Sequence, residues 1–220
     1  MRASSRSPLA RGRPRSQRAK RAVLDAVRAL VEKGGYPAAT IEAIAARAGV
    51  AKTTIYRWWP NRAALVVDLL VEVAAVAAPP PAGPDPVQAL RTELRLVAEA
   101  TDALPGRLLG SLLGEAQHDR DVREALLERL FKPRRKATAD VIRAAQRSGA
   151  LRKDVPPLLA VDLLFGPLFY RKYLRHESVR GGFERQVFEH VMAGLGAASG
   201  PRRTGRRAPA RARPAARPTP

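Results

Sequence analysis

The sequence predicts an all-α fold of about nine helices, split into a small N-terminal unit and a larger helical body. Three observations predict it. Apolar residues recur at three- and four-residue spacing along most of the 220 residues, the period of a helix with one buried face. No stretch shows the strict alternation of a half-buried strand. Gly34-Gly35, Gly149, Pro156-Pro157 and Gly181-Gly182 punctuate the periodic segments and mark their ends.

The first helix is expected from about Gln17 to Lys33, with Val23, Val27, Leu30 and Val31 on one face and Gly34-Gly35 at its end. Thr40 is a good N-cap for a second helix whose Ile41, Ile44, Ala45 and Ala48 face inward. Gly49 stops that helix, and Val50 plugs the corner. A third, short helix is expected from Lys52 to Trp59, ended by Pro60, which lacks an N–H and disfavours helix in the residue before it. Asn61 then caps a fourth helix with Leu65, Leu69, Leu70 and Val73 on its buried face. APPPAGPDP (78–86) is the clearest break. Beyond it, periodic segments fall at about 86–103, 105–117, 121–148, 155–175 and 180–197, and Pro167 is expected to kink the fourth of these. The domains expected are therefore 17–77 and 85–198. Residues 1–16 and 199–220, rich in Arg, Pro, Ser and Ala, are read as a disordered basic arm and tail.

Charge is sorted along the chain. Lys and Arg number 40 against 20 Asp and Glu, a net charge of +20. A GC-rich genome would raise arginine everywhere, but residues 1–60 carry thirteen bases against three acids, and residues 199–220 carry seven arginines and no acid. Residues 61–198 are close to balanced, with twenty bases and seventeen acids. Such a distribution points to a polyanion met by the ends of the chain, nucleic acid before an anionic membrane surface.

Other classes are excluded by what the chain lacks. With no cysteine there is no disulfide framework and no thiol chemistry. No apolar run reaches the roughly 18 residues of a membrane span. The charged N-terminus is not followed by the apolar stretch of a secretory signal, so a soluble cytoplasmic protein is expected. His118, His176 and His190 are scattered. The one metal-like cluster, HDRD at 118–121, is better explained by Asp119 or Asp121 capping the helix that begins near Val122. No phosphate-cradling glycine loop and no nucleophile motif is present, so neither enzyme activity nor a cofactor or metal is expected.

Helix, tight glycine turn and short basic helix is the sequence form of a helix-turn-helix. Gly49 supplies the positive φ between two steeply crossing helices. The short helix would enter a major groove, which is wide enough to admit it. Ile55 and Trp59, four apart, share the face that packs on the first two helices, so Trp59 is expected as a core anchor. Lys52, Thr53, Tyr56 and Arg57 fall on the outer side, and Arg57 is suited to a guanine edge. Trp58 stands between the faces, where its indole N–H suits a phosphate oxygen. In the preceding arm, RGRPR places Arg11, Arg13 and Arg15 to enter a narrow minor groove or simply to attract phosphates.

On these residues the resemblance is plain: TIEAIAARAGVAKTTIYRWWPNRAALVV (40–67) resembles the DNA-binding signature of the TetR family of bacterial transcriptional regulators, over about a quarter of the chain. GALRKDVPPLLAVDLLFGPLFYRKYL (149–174) more loosely resembles the regulatory domain of many members. The resemblance implies that Thr40 contacts a phosphate, that Lys52 and Thr53 reach base edges, and that Tyr56 touches phosphate or a thymine methyl. It implies backbone contacts for Thr54, Trp58 and Arg62. Two positions depart from the pattern: Ala51 stands where a Ser or Thr cap is usual, and Trp58 where a histidine is common. The resemblance further implies a homodimer formed by the last two long helices, with Val161, Phe165, Phe188, Val191 and Leu195 as interface candidates. An unknown small-molecule effector would bind in the body, with Leu108, Phe131, Phe169 and Tyr170 as pocket candidates. The expected function is a ligand-responsive repressor that binds a palindromic DNA operator and is released by the small molecule. The alternative is an architectural DNA-binding protein of weak specificity that needs no effector.

Overall fold

The computed structural model describes residues 13–196. In chain order its helices are α1 (Arg13–Ala38), α2 (Ile41–Ala48), α3 (Lys52–Tyr56), α4 (Arg62–Ala77), α5 (Pro86–Ala100), α6 (Leu104–Glu115), α7 (Arg120–Leu126), α8 (Lys132–Arg147), α9 (Pro157–Leu174) and α10 (Phe183–Leu195). A π turn, Leu127–Phe131, joins α7 and α8 into one rod, so the ten segments make nine rods among the described residues. The fold is all-α. Its extended pairing among those residues is one isolated bridge, Leu151 with Gly196.

Local chemistry sets the ends. α1 is broken at Gly34 and Gly35, the second of which takes φ +67°, so its regular part stops near Lys33 as the glycine pair predicts. It begins earlier than expected, at Arg13, with Pro14 in the first turn, where its missing N–H costs no helical hydrogen bond. Thr40 caps α2 by accepting from the Ala43 N–H at 3.1 Å. Gly49 closes it at φ +65°. Asn61 caps α4 through the Ala64 N–H at 2.8 Å, Asp85 caps α5, and Asp119 caps α7 by accepting from the Asp121 and Val122 N–H groups. α3 is shorter than predicted. Beyond Tyr56 the Trp58 N–H turns to the Ile55 carbonyl, three residues back, and tightens the last turn.

The π turn has a cause in Pro133. In a regular α-helix the proline ring would collide with the carbonyl four residues earlier, that of Arg129. The wider turn, in which the Lys132 N–H reaches the Leu127 carbonyl, places Arg129 inside the relaxed segment. α9 continues through Pro167 and ends at Arg175 in the left-handed conformation.

Two cores form, and they do not divide where the proline-rich break does. The first unites α1–α4 with Leu108, Leu109 and Leu112 of α6 and Val122, Ala125 and Leu126 of α7. The second joins α5, α8, α9 and α10 around Leu90, Leu94, Ile142, Leu164, Leu168 and Phe188. The N-terminal unit is therefore seated on the body by apolar packing. α6 starts hard against the end of α5: a side chain at Gly106 would place its Cβ 2.0 Å from the Thr101 carbonyl oxygen. Only glycine fits there.

Candidate functional site

The outer side of α3 presents Lys52, Thr53, Tyr56 and Arg57, all exposed, with Tyr56 at 51 %. Thr54 and Trp58 are half-buried beside them, and Thr40 is exposed at the start of α2. Three nearby cations are already engaged. Lys52 donates to Glu42 Oε1 at 2.5 Å, and this bond holds the Glu42 carboxyl below its usual range. The Arg62 guanidinium lies over the Tyr36 ring, 4.0 Å from its centre. Arg57 lies over Trp58, 5.2 Å from its ring centre. Ala51 takes the extended conformation of a cap residue, yet no side chain caps the α3 amides.

Behind α3 the chain is fixed. Ile55 is fully buried and Trp59 is 1 % exposed, with Trp58 packed edge-on against it. The Trp59 indole N–H donates to Asp68 Oδ2 of α4 at 2.7 Å. Asp68 Oδ1 in turn accepts from Arg129 of the π turn at 2.6 Å. A second tie joins the cap residue Asn61 to Asp121 of α7 at 2.9 Å. The segment that carries the exposed helix is thus hydrogen-bonded to α4, and α4 to the body.

The body contains a cavity of about 260 Å³. Leu70 and Ala74 of α4 and Ala78, just beyond it, form one wall, and Phe131, Val161, Phe165 and Phe169 contribute to the others. Its polar groups are few. Glu93 of α5 is 3 % exposed and is met by Thr138, at 3.0 and 3.1 Å from its two oxygens, and by Arg134 at 3.5 Å. Burial pushes the Glu93 carboxyl up to about 7, against the pull of Arg134 and the Thr138 hydroxyl. Arg134 also donates to the Ala78 carbonyl, at the end of α4, at 2.7 Å. Burial likewise raises the Tyr173 phenol, which stacks on Phe169.

Several sequence expectations change in this light. Phe131 and Phe169 line the cavity; Leu108 lines a separate cleft with Ser111 and Lys172. Tyr170 lies outside both, 61 % exposed and packed on His176, because its position on α9 faces away from Phe165 and Phe169. Of the interface candidates, Val161, Phe165, Phe188 and Leu195 are buried within the single chain, taken up by the second core, and Val191 is half-buried against that core. The large apolar side chains left exposed on α9 are Leu158, Leu159, Leu163, Tyr170 and Leu174. Arg13 and Arg15 lie on the first turns of α1 rather than in an extended arm, while Arg11 and the 199–220 tail lie outside the described residues. Glu93, Arg134 and Asp68 were missed. Asp68, the one acid among the first ten residues of α4, was the available signal.

A short basic helix, exposed outward and anchored from behind across a glycine turn, defines a helix-turn-helix protein that binds DNA. Residues 23–69 match the family described as "Bacterial regulatory proteins, tetR family", and residues 80–191 match "Tetracyclin repressor-like, C-terminal domain". The HTH-type transcriptional regulator YdeS of Bacillus subtilis (strain 168) is 32 % identical over 189 residues, 86 % of this chain and 96 % of that one. The crystal structure of the TetR family transcription regulator SCO0332 superposes with a TM-score of 0.70 at 31 % identity, covering 80 % of this chain and 98 % of that one. FadR of Thermus thermophilus, a repressor solved with lauroyl-CoA, shares the fold with a TM-score of 0.59 at 20 % identity, over 84 % and 98 % of the two chains. The chain belongs to the TetR family of transcriptional regulators. It is a DNA-binding regulator of transcription, and none of its helices among the described residues is long and apolar enough to cross a membrane.

Proposed function

We propose that the protein is a repressor that binds a palindromic operator as a homodimer and releases it when a small molecule enters the cavity. One observation carries this reading: α4 is shared by both sites. Asp68 in its first half holds Trp59 behind α3, while Leu70 and Ala74 along its length form a wall of the cavity. A ligand that prefers a shifted α4 therefore prefers a shifted α3, and the bound conformation loses its fit to DNA. FadR of Thermus thermophilus, a repressor solved in complex with lauroyl-CoA, shares this fold, which is consistent with an amphiphilic effector.

Two copies are needed because one five-residue helix reads few base pairs, and a two-fold pair reads two half-sites about one turn apart. The exposed Leu159, Leu163 and Tyr170 of α9 lie on one side of that helix and are the surface a second copy covers. At the DNA, Tyr56, Thr53 and Lys52 face the groove, with Lys52 exchanging Glu42 for the duplex. Arg57 reaches a guanine edge, and Thr40, Thr54, Trp58 and Arg62 lie along the phosphates.

Replacing Tyr56 by Ala tests the assignment. Specific operator binding in a gel-shift assay is expected to fall at least tenfold, on the order of the 1–3 kcal/mol of one good contact. The sedimentation of the dimer is expected to stay as in the wild type. Unchanged operator affinity would remove α3 from the interface. An architectural protein would instead show steep salt dependence and little preference among sequences.

A further inference from the structure

The polar floor of the cavity points to the chemistry of its ligand, an inference that rests on the effector reading above. A carboxylate offers about four lone-pair sites. Glu93 receives little for them. The Thr138 hydroxyl has one hydrogen, and three acceptors compete for it: the two Glu93 oxygens, at 3.1 and 3.0 Å, and the Arg134 carbonyl, at 3.1 Å. Arg134 stands 3.5 Å from Glu93 because another of its nitrogens is held by the Ala78 carbonyl at 2.7 Å. A nearly fully buried acceptor is therefore short of donors at a space large enough for a ligand. A ligand that brings only acceptors would leave this shortage in place, and one that brings an anion would set it beside Glu93.

The remaining charged groups of the wall are accounted for. Arg135 of α8 is paired with Asp162 of α9 through both of its terminal nitrogens. Tyr173 of α9 is the one other titratable group there, and the wall residues from α4 and α6 are apolar or glycine. Arg134 is thus the one cation that faces Glu93.

We propose that the effector is a mainly apolar molecule bearing one cationic, hydrogen-bond-donating nitrogen, a lipophilic amine, and that Glu93 is the residue that reads it. An ammonium placed at Glu93 supplies the missing donors and a full counter-charge. It also frees Arg134 from its long contact with Glu93 and leaves it to the Ala78 carbonyl. The ligand's polar end is thereby felt at Ala78, the residue that follows α4, while its chain fills the space between α4 and α9. Burial holds the Glu93 carboxyl at about 7 when the cavity is empty, and the amine requires the ionised form. Binding therefore releases a proton near neutral pH and tightens as pH rises from 6 to 8, a range in which an alkylamine stays charged.

Calorimetric titration of the full-length protein with decylamine, decanol and decanoate, each below its micelle concentration, tests the assignment. Decylamine is expected to bind roughly tenfold or more tightly than decanol. Glu93→Gln is expected to remove that preference and its pH dependence. Thr138→Val, which deletes a donor that favours the ionised carboxylate, is expected to move the pH dependence of decylamine binding to higher pH, and an unmoved dependence would count against Glu93 as its source. Equal affinity for amine and alcohol, or a preference that survives Glu93→Gln, overturns the proposal. Tighter binding of decanoate overturns it in favour of the arginines as readers. Binding by the alcohol or the acid alone leaves the effector cavity standing, whereas binding by none of the three overturns that reading as well.

Discussion

Trp59 and Glu93 are both almost fully buried and both carry polar atoms, yet they are satisfied to opposite degrees. The single N–H of Trp59 has one acceptor at 2.7 Å, and that acceptor is itself held by Arg129 at 2.6 Å. Glu93 shares one hydroxyl hydrogen and a guanidinium at the limit of hydrogen-bond reach. A fully paired buried network rigidifies its surroundings, and a partly paired one is where an incoming group has most to gain. On the proposed function, the difference teaches how one fold combines a reader that must keep its shape with a receptor that must respond. The saturated polar chemistry lies behind α3, and the unsaturated polar chemistry lies at the cavity.

Substitutions can break or sharpen this contrast. The largest effect is expected from Trp59→Ala, which removes the anchor of the first core and should cost about 3–5 kcal/mol in urea unfolding. A loss below about 1 kcal/mol, in the range of surface substitutions, would mean that the indole does not pin α3. Next comes Glu93. Its folded carboxyl, at about 7, stands above the ordinary 4.5, so the folded state binds the extra proton between those values. Wild-type stability should therefore fall as pH rises from about 4.5 to about 7, by up to roughly 3 kcal/mol, and level off above. Glu93→Gln should flatten that slope and be the more stable protein at pH 8; parallel pH profiles of the two proteins would refute the cost of burying this acid. Smaller again is Asp68→Ala, which leaves the Trp59 N–H buried without an acceptor and should cost about 1–2 kcal/mol. It should also weaken the link between cavity and α3, so that any effector found would shift operator affinity less than in the wild type. Last, Ala51→Ser supplies the missing α3 cap and should raise stability by about 0.5–1 kcal/mol with the cavity unaffected, readable as a small rise in the melting temperature.

The legible part of the molecule is the part governed by local rules. Thr40, Gly49, Asn61 and the Ile55–Trp59 spacing each depend on residues within one helical turn, and each stands where sequence reasoning put it. The helix series after the break was legible for the same reason. What escaped depends on distant partners. In RTELRLV, Glu93 reads as an ordinary solvated acid; its burial is created by Arg134 and Thr138, 41 and 45 residues away. Val161, Phe165, Phe188 and Leu195 have the pattern of an apolar face, but the pattern does not say whether that face meets its own chain or a second one. The π turn was signalled by Pro133 in the middle of a long periodic segment, and its consequence, an Arg129 aimed at Asp68, needs the placement of α4.

The pairing of Lys52 with Glu42 has one more effect. In the DNA complex proposed above, Lys52 meets every stretch of duplex with its ammonium already matched to a carboxylate, an intramolecular competitor. Random phosphates gain little by displacing Glu42, since they replace one anion with another. Only a site that offers well-aligned acceptors repays the exchange, so this contact contributes less to overall stickiness than to discrimination.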